Sequence, residues 1–199
     1  QAIDETDRMD GKVSIRAQRS SQAELDGSLP DVSSFEIEDN GIGFTDTHRN
    51  SFDTLYTDLK IEEGGKGFGR FIGLKYFEDL HVKSVYRDGS GFKARNFSMG
   101  KDNDIIFREK VAVSEKQASG TVITLSTLKK GRSFDKKLST IARNLVERLL
   151  PYFITQDYAC PEIVLSEEDG SGAIRLNDFV SNELSAVIRE IGVERKTFT

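Results

Sequence analysis

One cysteine in 199 residues, Cys160, leaves nothing for an internal disulfide or a cysteine-cluster metal site, and suits a reducing compartment. Cys160 sits in Ala159-Cys160-Pro161 with no base nearby, so it reads as a small buried apolar residue. Tryptophan is absent and the two histidines, His48 and His81, fall in different elements. A surface position for His48 and an edge strand for His81 are their ordinary readings, not a metal or acid–base pair. No apolar run approaches the roughly 18 residues of a membrane helix, and no secretory leader is recognisable. The expectation is a cytoplasmic protein with no membrane partner. A net charge of -5 argues against a nucleic-acid surface spread over the whole chain. The local cluster Lys129-Lys130-Gly131-Arg132 with Lys136-Lys137 reads as a solvated helix start, and Glu167-Glu168-Asp169 as a solvated hairpin turn.

The chain is modest in apolar content (37%) and rich in charge (31%), yet its 13 Phe supply bulky core material. At this length one domain, with or without part of a second, is expected. The opening Gln1-Ala2-Ile3-Asp4-Glu5 lacks Met and has the apolar spacing of a helix already under way, so the chain is expected to be a fragment.

Alternation of apolar and polar residues predicts strands over Lys12–Arg19 and Ser34–Glu38. Thr47–Leu59 is predicted partly helical, and Phe68–Leu80 a buried helix entered directly from glycines. Val82–Tyr86 and Phe92–Phe97 form a hairpin, with further strands at Asp104–Val113 and Thr121–Leu125. Ser133–Leu150 is an amphipathic helix closed by Pro151. Glu162–Leu165 and Gly172–Leu176 read as a short hairpin, and Asn182–Ile191 as a last helix. The fold class expected is α+β: a two-layer sandwich of a mixed, largely antiparallel sheet with helices on one face. A soft boundary divides it into residues 1–127 and 128–199.

Three segments carry chemistry. In Asp39-Asn40-Gly41-Ile42-Gly43 a carboxylate ends an apolar strand, where an unpaired charge is costly. An adenine amine would satisfy Asp39, Gly41 and Gly43 would let a flat base approach the backbone, and Ile42 would offer an apolar contact. An ordinary Asn-Gly turn with Asp39 as a cap explains the same residues. The second segment is Gly64-Gly65-Lys66-Gly67-Phe68-Gly69-Arg70. Gly65, Gly67 and Gly69 alternate at a helix entry, so their N–H groups and the helix N-terminus can converge on phosphate oxygens, with Lys66 and Arg70 neutralising charge. The segment matches neither Gly-x-Gly-x-x-Gly nor the Walker loop, because Arg70 and Gly67 stand where those need Gly and Ser or Thr. The third segment, Ser119-Gly120-Thr121, opens an apolar strand, and the Thr121 hydroxyl would bond Asp39 or a water shared with the base.

In this order the segments resemble those of the GHKL, or Bergerat-fold, superfamily: gyrase, the ninety-kilodalton heat-shock chaperone, MutL and sensor histidine kinases. Asp39-Asn40-Gly41-Ile42-Gly43 is similar to its Asp-x-Gly-x-Gly box, Gly65-Lys66-Gly67-Phe68-Gly69 to its glycine-rich box, and Ser119-Gly120-Thr121 to its last motif. The resemblance covers roughly residues 1–127. It implies an ATP site in which Asp39 binds the adenine amine and Thr121 joins the same network. Thr45–Gly64 would be a lid, Lys60 within it approaching the phosphates, with Phe68 and Arg70 part of the glycine-rich box. The family's Glu general base and magnesium-holding Asn would lie upstream of Gln1-Ala2, so no residue here is assigned a catalytic or metal role. The resemblance thus implies an Mg-ATP-binding module in a larger ATP-driven switch. ATP hydrolysis and ATP-dependent homodimerisation would belong to the full-length protein, a bacterial stand-alone relative with an unspecified client. A nucleotide-free interaction domain on the same fold, or a histidine-kinase catalytic domain, are the alternatives; residues beyond Leu125 resemble the start of a transducer region and disfavour the kinase.

Overall fold

The computed structural model describes residues 2–6, 10–21, 28–53, 69–100, 105–155 and 158–178. After a short 3-10 turn at Asp4–Thr6 come β1 (Lys12–Arg19), β2 (Val32–Asp39), α1 (Asp46–Asp53) and α2 (Gly69–Tyr76). Then follow β3 (Phe77–Asp88), β4 (Gly91–Gly100), β5 (Phe107–Val113), β6 (Gly120–Leu128), α3 (Leu138–Ile154), β7 (Glu162–Glu167) and β8 (Ile174–Arg175). The strands form one sheet in the order β5-β4-β3-β6-β2-β1-β7-β8. Every neighbouring pair is antiparallel except β1 with β7. The α+β reading with a mixed, largely antiparallel sheet holds.

Register stacks like residues across strands. Ala17, Phe35, Leu125, Leu80 and Met99 are successive cross-strand partners on β1, β2, β6, β3 and β4. The next row on the same face is Ile15, Ile37, Ile123, Val82 and Phe97. Because side chains alternate along a strand, this whole face is apolar and must be covered. Helix α3 covers it from one side, burying Leu138, Ile141, Ala142 and Val146 in a cluster with Ala17, Phe35, Phe77 and Leu165. Phe52 of α1 and Leu74 of α2 join a second cluster with Leu80, Val82, Phe97 and Met99, and Leu125 touches both. The opposite face carries polar pairs such as Arg16 between Glu36 and Glu38. Residues on both sides of position 127 build this one sheet, since β7 pairs with β1 in parallel register.

Three local expectations change. The helix predicted over Phe68–Leu80 stops at Tyr76, and β3 begins at Phe77 rather than Val82. Phe77, Leu80 and Val82 are buried while Glu78 and His81 are exposed, and pairing with β6 from Phe77↔Leu128 onward claims the segment for the sheet. Pro151 does not close α3 but lies inside it, three residues before its end. The bond it forfeits is to the carbonyl of Glu147, an exposed residue, so water can take its place. The helix also starts at Leu138, leaving Phe134 outside it, where its ring packs on Phe35 and Phe77. The last helix expected over Asn182–Ile191 lies outside the described residues.

Thr127 near the end of β6 has φ +59°, a left-handed conformation costly for a β-branched residue. Thr127→Asn, which tolerates that region, is expected to stabilise the fold by about 0.5–1 kcal/mol. The check is a chemical denaturation midpoint, with unchanged slope, that rises in the variant.

Candidate nucleotide site

The third row on the covered face breaks the apolar pattern. Asp39, Thr121, Ser84 and Arg95 are successive cross-strand partners on β2, β6, β3 and β4. Two of the sequence's motifs, the acidic turn and the Gly-Thr strand, are thus brought side by side by register alone. The row lies where the chain leaves β2 through Asn40–Thr45 and crosses towards α1.

Asp39 is held from its own loop. One carboxylate oxygen, Oδ1, accepts the Gly41 N–H at 2.8 Å. Burial pushes the Asp39 carboxyl up from its ordinary value, opposed by the Gly41 and Thr121 amides that favour the charged form. A carboxylate has acceptor capacity beyond these bonds, so a donor arriving from a ligand would relieve a real desolvation cost. Asn40 acts structurally. Its Oδ1 accepts the Lys12 N–H at 2.8 Å and its Nδ2 donates to the Asp10 carbonyl at 2.8 Å, tying the turn to the entry of β1. The Ile42 N–H donates to the Ala2 carbonyl at 2.9 Å, and a Cβ on Gly41 would sit 2.6 Å from that same oxygen. The glycine at 41 therefore admits the 2–6 segment to the loop. Gly43 has φ +79°, and any Cβ there would overlap the Val85 carbonyl. So both glycines are required by close backbone approach, one to each neighbouring segment.

The remaining predicted residues divide cleanly. Thr121 is buried, and its hydroxyl lies 3.2 Å from Ser84 Oγ, while its amide supports Asp39. Gly69 and Arg70 are the first two residues of α2, so the glycine cluster does end at a helix entry. Lys60, Gly65, Lys66, Gly67 and Phe68 lie outside the described residues. His48 Nδ1 bonds locally with Thr45 Oγ1 at 2.7 Å. His81 lies on β3, inside the sheet between β4 and β6 rather than on an edge strand, and its Nδ1 meets Ser98 Oγ of β4 at 2.8 Å. Cys160 borders a cleft of about 840 Å³ that reaches Asn40, Lys12, Tyr158 and Glu162. Asp39 is not among the residues lining that cleft.

Sequence reasoning missed Ser84 and Arg95. Ser84 Oγ accepts the Phe44 N–H at 2.8 Å and lies 3.1 Å from the Gly120 carbonyl. Arg95, only 4% exposed, donates through Nη1 to the carbonyls of Phe44 (2.7 Å) and Thr45 (2.8 Å). Its Nη2 bonds Asp46, and its Nε makes an ion pair, though no aligned hydrogen bond, with Glu109 at 3.0 Å. The guanidinium also lies over the Tyr86 ring, 4.9 Å from its centre. Together they grip the backbone of residues 44 and 45 from both sides. A polar residue in the inward phase of a strand, Ser84 between Val82 and Tyr86 or Arg95 before Phe97 and Met99, is the signal that would have found them.

No family model matches the sequence, and no curated protein matches it. Solved structures do. The ATPase region of Saccharomyces cerevisiae topoisomerase II aligns with a TM-score of 0.54 at 15% identity, covering 88% of this chain and 47% of that one. The same region bound to ICRF-187 (dexrazoxane) aligns at 0.50 and 16% identity, covering 87% and 48%. This chain shares the fold of the topoisomerase II ATPase region. It spans about half the length of the chains it matches.

Proposed function

We propose that this chain is an ATP-binding module, with the adenine held at Asp39 and the phosphates held at the entry of α2. The observation that carries the reading is the polar row at the end of an otherwise apolar face, headed by a half-buried carboxylate that accepts the Gly41 and Thr121 amides and has lone pairs left for a further donor. Adenine's exocyclic amine is such a donor. Its flat ring would lie beside Asp39 with Ile42 near it; the room left at Gly41 and Gly43 is taken by the Ala2 and Val85 carbonyls rather than by the base. Gly69 and Arg70 open α2, so the phosphates would meet backbone N–H groups and a cation, joined by Lys60, Gly65, Lys66, Gly67 and Phe68.

Magnesium fits the described residues poorly. Among them no group of three His, Cys, Asp or Glu side chains is placed to hold a metal. Magnesium would therefore arrive bound to ATP. Ser84 and Arg95 hold residues 44 and 45, and Phe52 of α1 packs in the second cluster, so a lid over Thr45–Gly64 would be anchored to the sheet as far as Asp53 and close beyond it. Such closure, in a larger protein, is the basis on which ATP would drive a conformational switch and pairing of two copies. Among the described residues no helix is long and apolar enough to cross a membrane.

Thermal unfolding with Mg-ATP tests this directly. Binding to the native state alone stabilises by about 2.7 kcal/mol at a hundredfold excess over Kd, a shift of several degrees. No shift with millimolar ATP or ADP, either in this chain or in one extended at its start, would leave the nucleotide-free interaction domain as the reading.

A further inference from the structure

We propose that the open face of the sheet over β3, β4 and β5 is a docking surface for single-stranded RNA, held by cations without carboxylate partners and by two phenylalanine rings outside the core. It lies on the side of the sheet away from Asp39 and α3 and does not rest on the nucleotide reading above.

Side chains alternate along a strand, so the residues between those of the covered face make up the open one. Glu38, Val122, Lys83, Asn96 and Lys110 are successive partners there on β2, β6, β3, β4 and β5. Glu36, Thr124, His81, Ser98 and Phe107 form the next row, and Arg87 pairs with Phe92 near the β3–β4 turn. Charge divides along these rows. On the β1, β2 and β7 side the cations meet carboxylates: Arg16 reaches Glu36 at 2.8 Å and Glu38 at 2.9 Å, and Glu162 meets Lys12 at 3.7 Å and Arg175 at 3.1 Å. Across β6 the pattern stops. Lys83, Arg108 and Lys110 are exposed and make no ion pair among the described residues, and exposed Arg87 donates to its neighbour, the Gly89 carbonyl, at 3.3 Å. Asp79, at the start of β3, is the one carboxylate that register places on this half, among the described residues. Opposite charges on neighbouring strands stabilise a sheet, so unmatched cations gathered here, in a chain of net charge -5, do not serve the fold.

The rings supply the second observation. Phe92 and Phe107 are half-buried, yet neither belongs to an apolar cluster. The Arg108 guanidinium lies over the Phe107 ring, 5.5 Å from its centre. The Phe107 row lies two residues from the row of Lys83 and Lys110, and Phe92 four residues beyond it on the other side, about 7 and 13 Å along the strands. Cations flanked by rings suit a chain with phosphates to neutralise and bases to stack; an acidic peptide would use the cations alone. Asn96, exposed between the two lysines, has no side-chain partner among the described residues. Its amide both donates and accepts, which matches the ribose 2′-hydroxyl that distinguishes RNA from DNA.

Fluorescence anisotropy of a labelled oligouridine of about 12 nucleotides tests this, with a melting curve for each protein. Affinity should fall steeply with salt, with a log–log slope of about −3 from four phosphate contacts at roughly −0.7 each. Lys83→Gln with Lys110→Gln should weaken binding about tenfold and cut that slope by about half. Phe107→Leu keeps the apolar bulk and removes the ring, so it should weaken binding about tenfold at an unchanged slope. Phe92→Leu gives the same reading should Phe107→Leu fail to fold. A merely structural role for either ring would move the melting curve and leave RNA affinity alone. No binding at low salt overturns the inference, as does an equal loss from Lys130→Gln with Lys137→Gln, exposed cations away from this face. Oligothymidine bound as tightly overturns the choice of RNA, and polyglutamate that displaces the RNA at equal charge overturns the role of the rings.

Discussion

Asp39→Asn is expected to weaken ATP binding about 50-fold while leaving the ligand-free protein as stable as before, or more so. The affinity loss follows from a bond to a charged group, typically about 1.5–3 kcal/mol, replaced by an amide that cannot accept from Gly41 and adenine with both heteroatoms. The stability result follows from burial. Asp39 has its carboxyl raised because the charged form is desolvated, so at neutral pH the ionised group costs the native state stability. A raised carboxyl means the native protein binds the proton more readily than the unfolded chain. The cost is therefore present above the raised value, falls away as pH drops through it, and is gone below the ordinary 3.8. Wild type and variant should converge in stability on acidification, and ATP affinity of wild type should fall over the same window. Calorimetric titration and denaturant melts between pH 4 and 7.5 measure both. A variant that binds ATP at full strength, or that unfolds at neutral pH, would remove Asp39 from the centre of the site.

Arg95→Ala should be the most damaging single change away from the two apolar clusters, at about 3–5 kcal/mol. The guanidinium is 4% exposed and meets two backbone carbonyls, Asp46, Glu109 and the Tyr86 ring. Truncation leaves Glu109 beside a void, removes the Arg95 donor from the Phe44 carbonyl and leaves the Thr45 carbonyl with only the Arg49 N–H. For a domain of this length that corresponds to a melting temperature roughly 10–15 °C lower. Arg95→Lys should recover only part of it, because an ammonium cannot reproduce the planar fork that reaches both carbonyls and Asp46 together. Asp46→Ala should do little by comparison, since Asp46 is 72% exposed and its pair with Arg95 is well solvated. Arg95 holds the Asp46 carboxyl below its ordinary 3.8, so that contribution persists above this value and is lost only as pH falls beneath it. An Arg95→Ala protein within about 1 kcal/mol of wild type in denaturant would show that residues 44 and 45 do not depend on this grip.

Much of the fold was readable from the chain. Period-two alternation placed β1 and β2, and the register later put their apolar residues on one face. Asn40-Gly41 announced the turn, and the alternating glycines up to Gly69 announced a helix entry, because those features act over a few residues. The errors lie where distant pairing outweighs local preference. Glu78–Leu80 suits a helix in isolation but joins β3 because β6 offers it partners. Pro151 ends a helix in the average case, yet α3 runs on to Ile154 because its buried stripe over Leu138–Val146 is already anchored on the sheet.

The residues that make Asp39 more than a turn cap are further apart still. Thr121 and Ser84 come from strands 82 and 45 positions away, and nothing local to either marks it as a neighbour of the acid. Patterns of three or four residues name the strands, the turn and the acid itself, since hydrogen-bond geometry and side-chain alternation operate at that range. Which hydroxyl stands beside which carboxylate depends on strand order and register, and these are settled only when both apolar rows find cover at once.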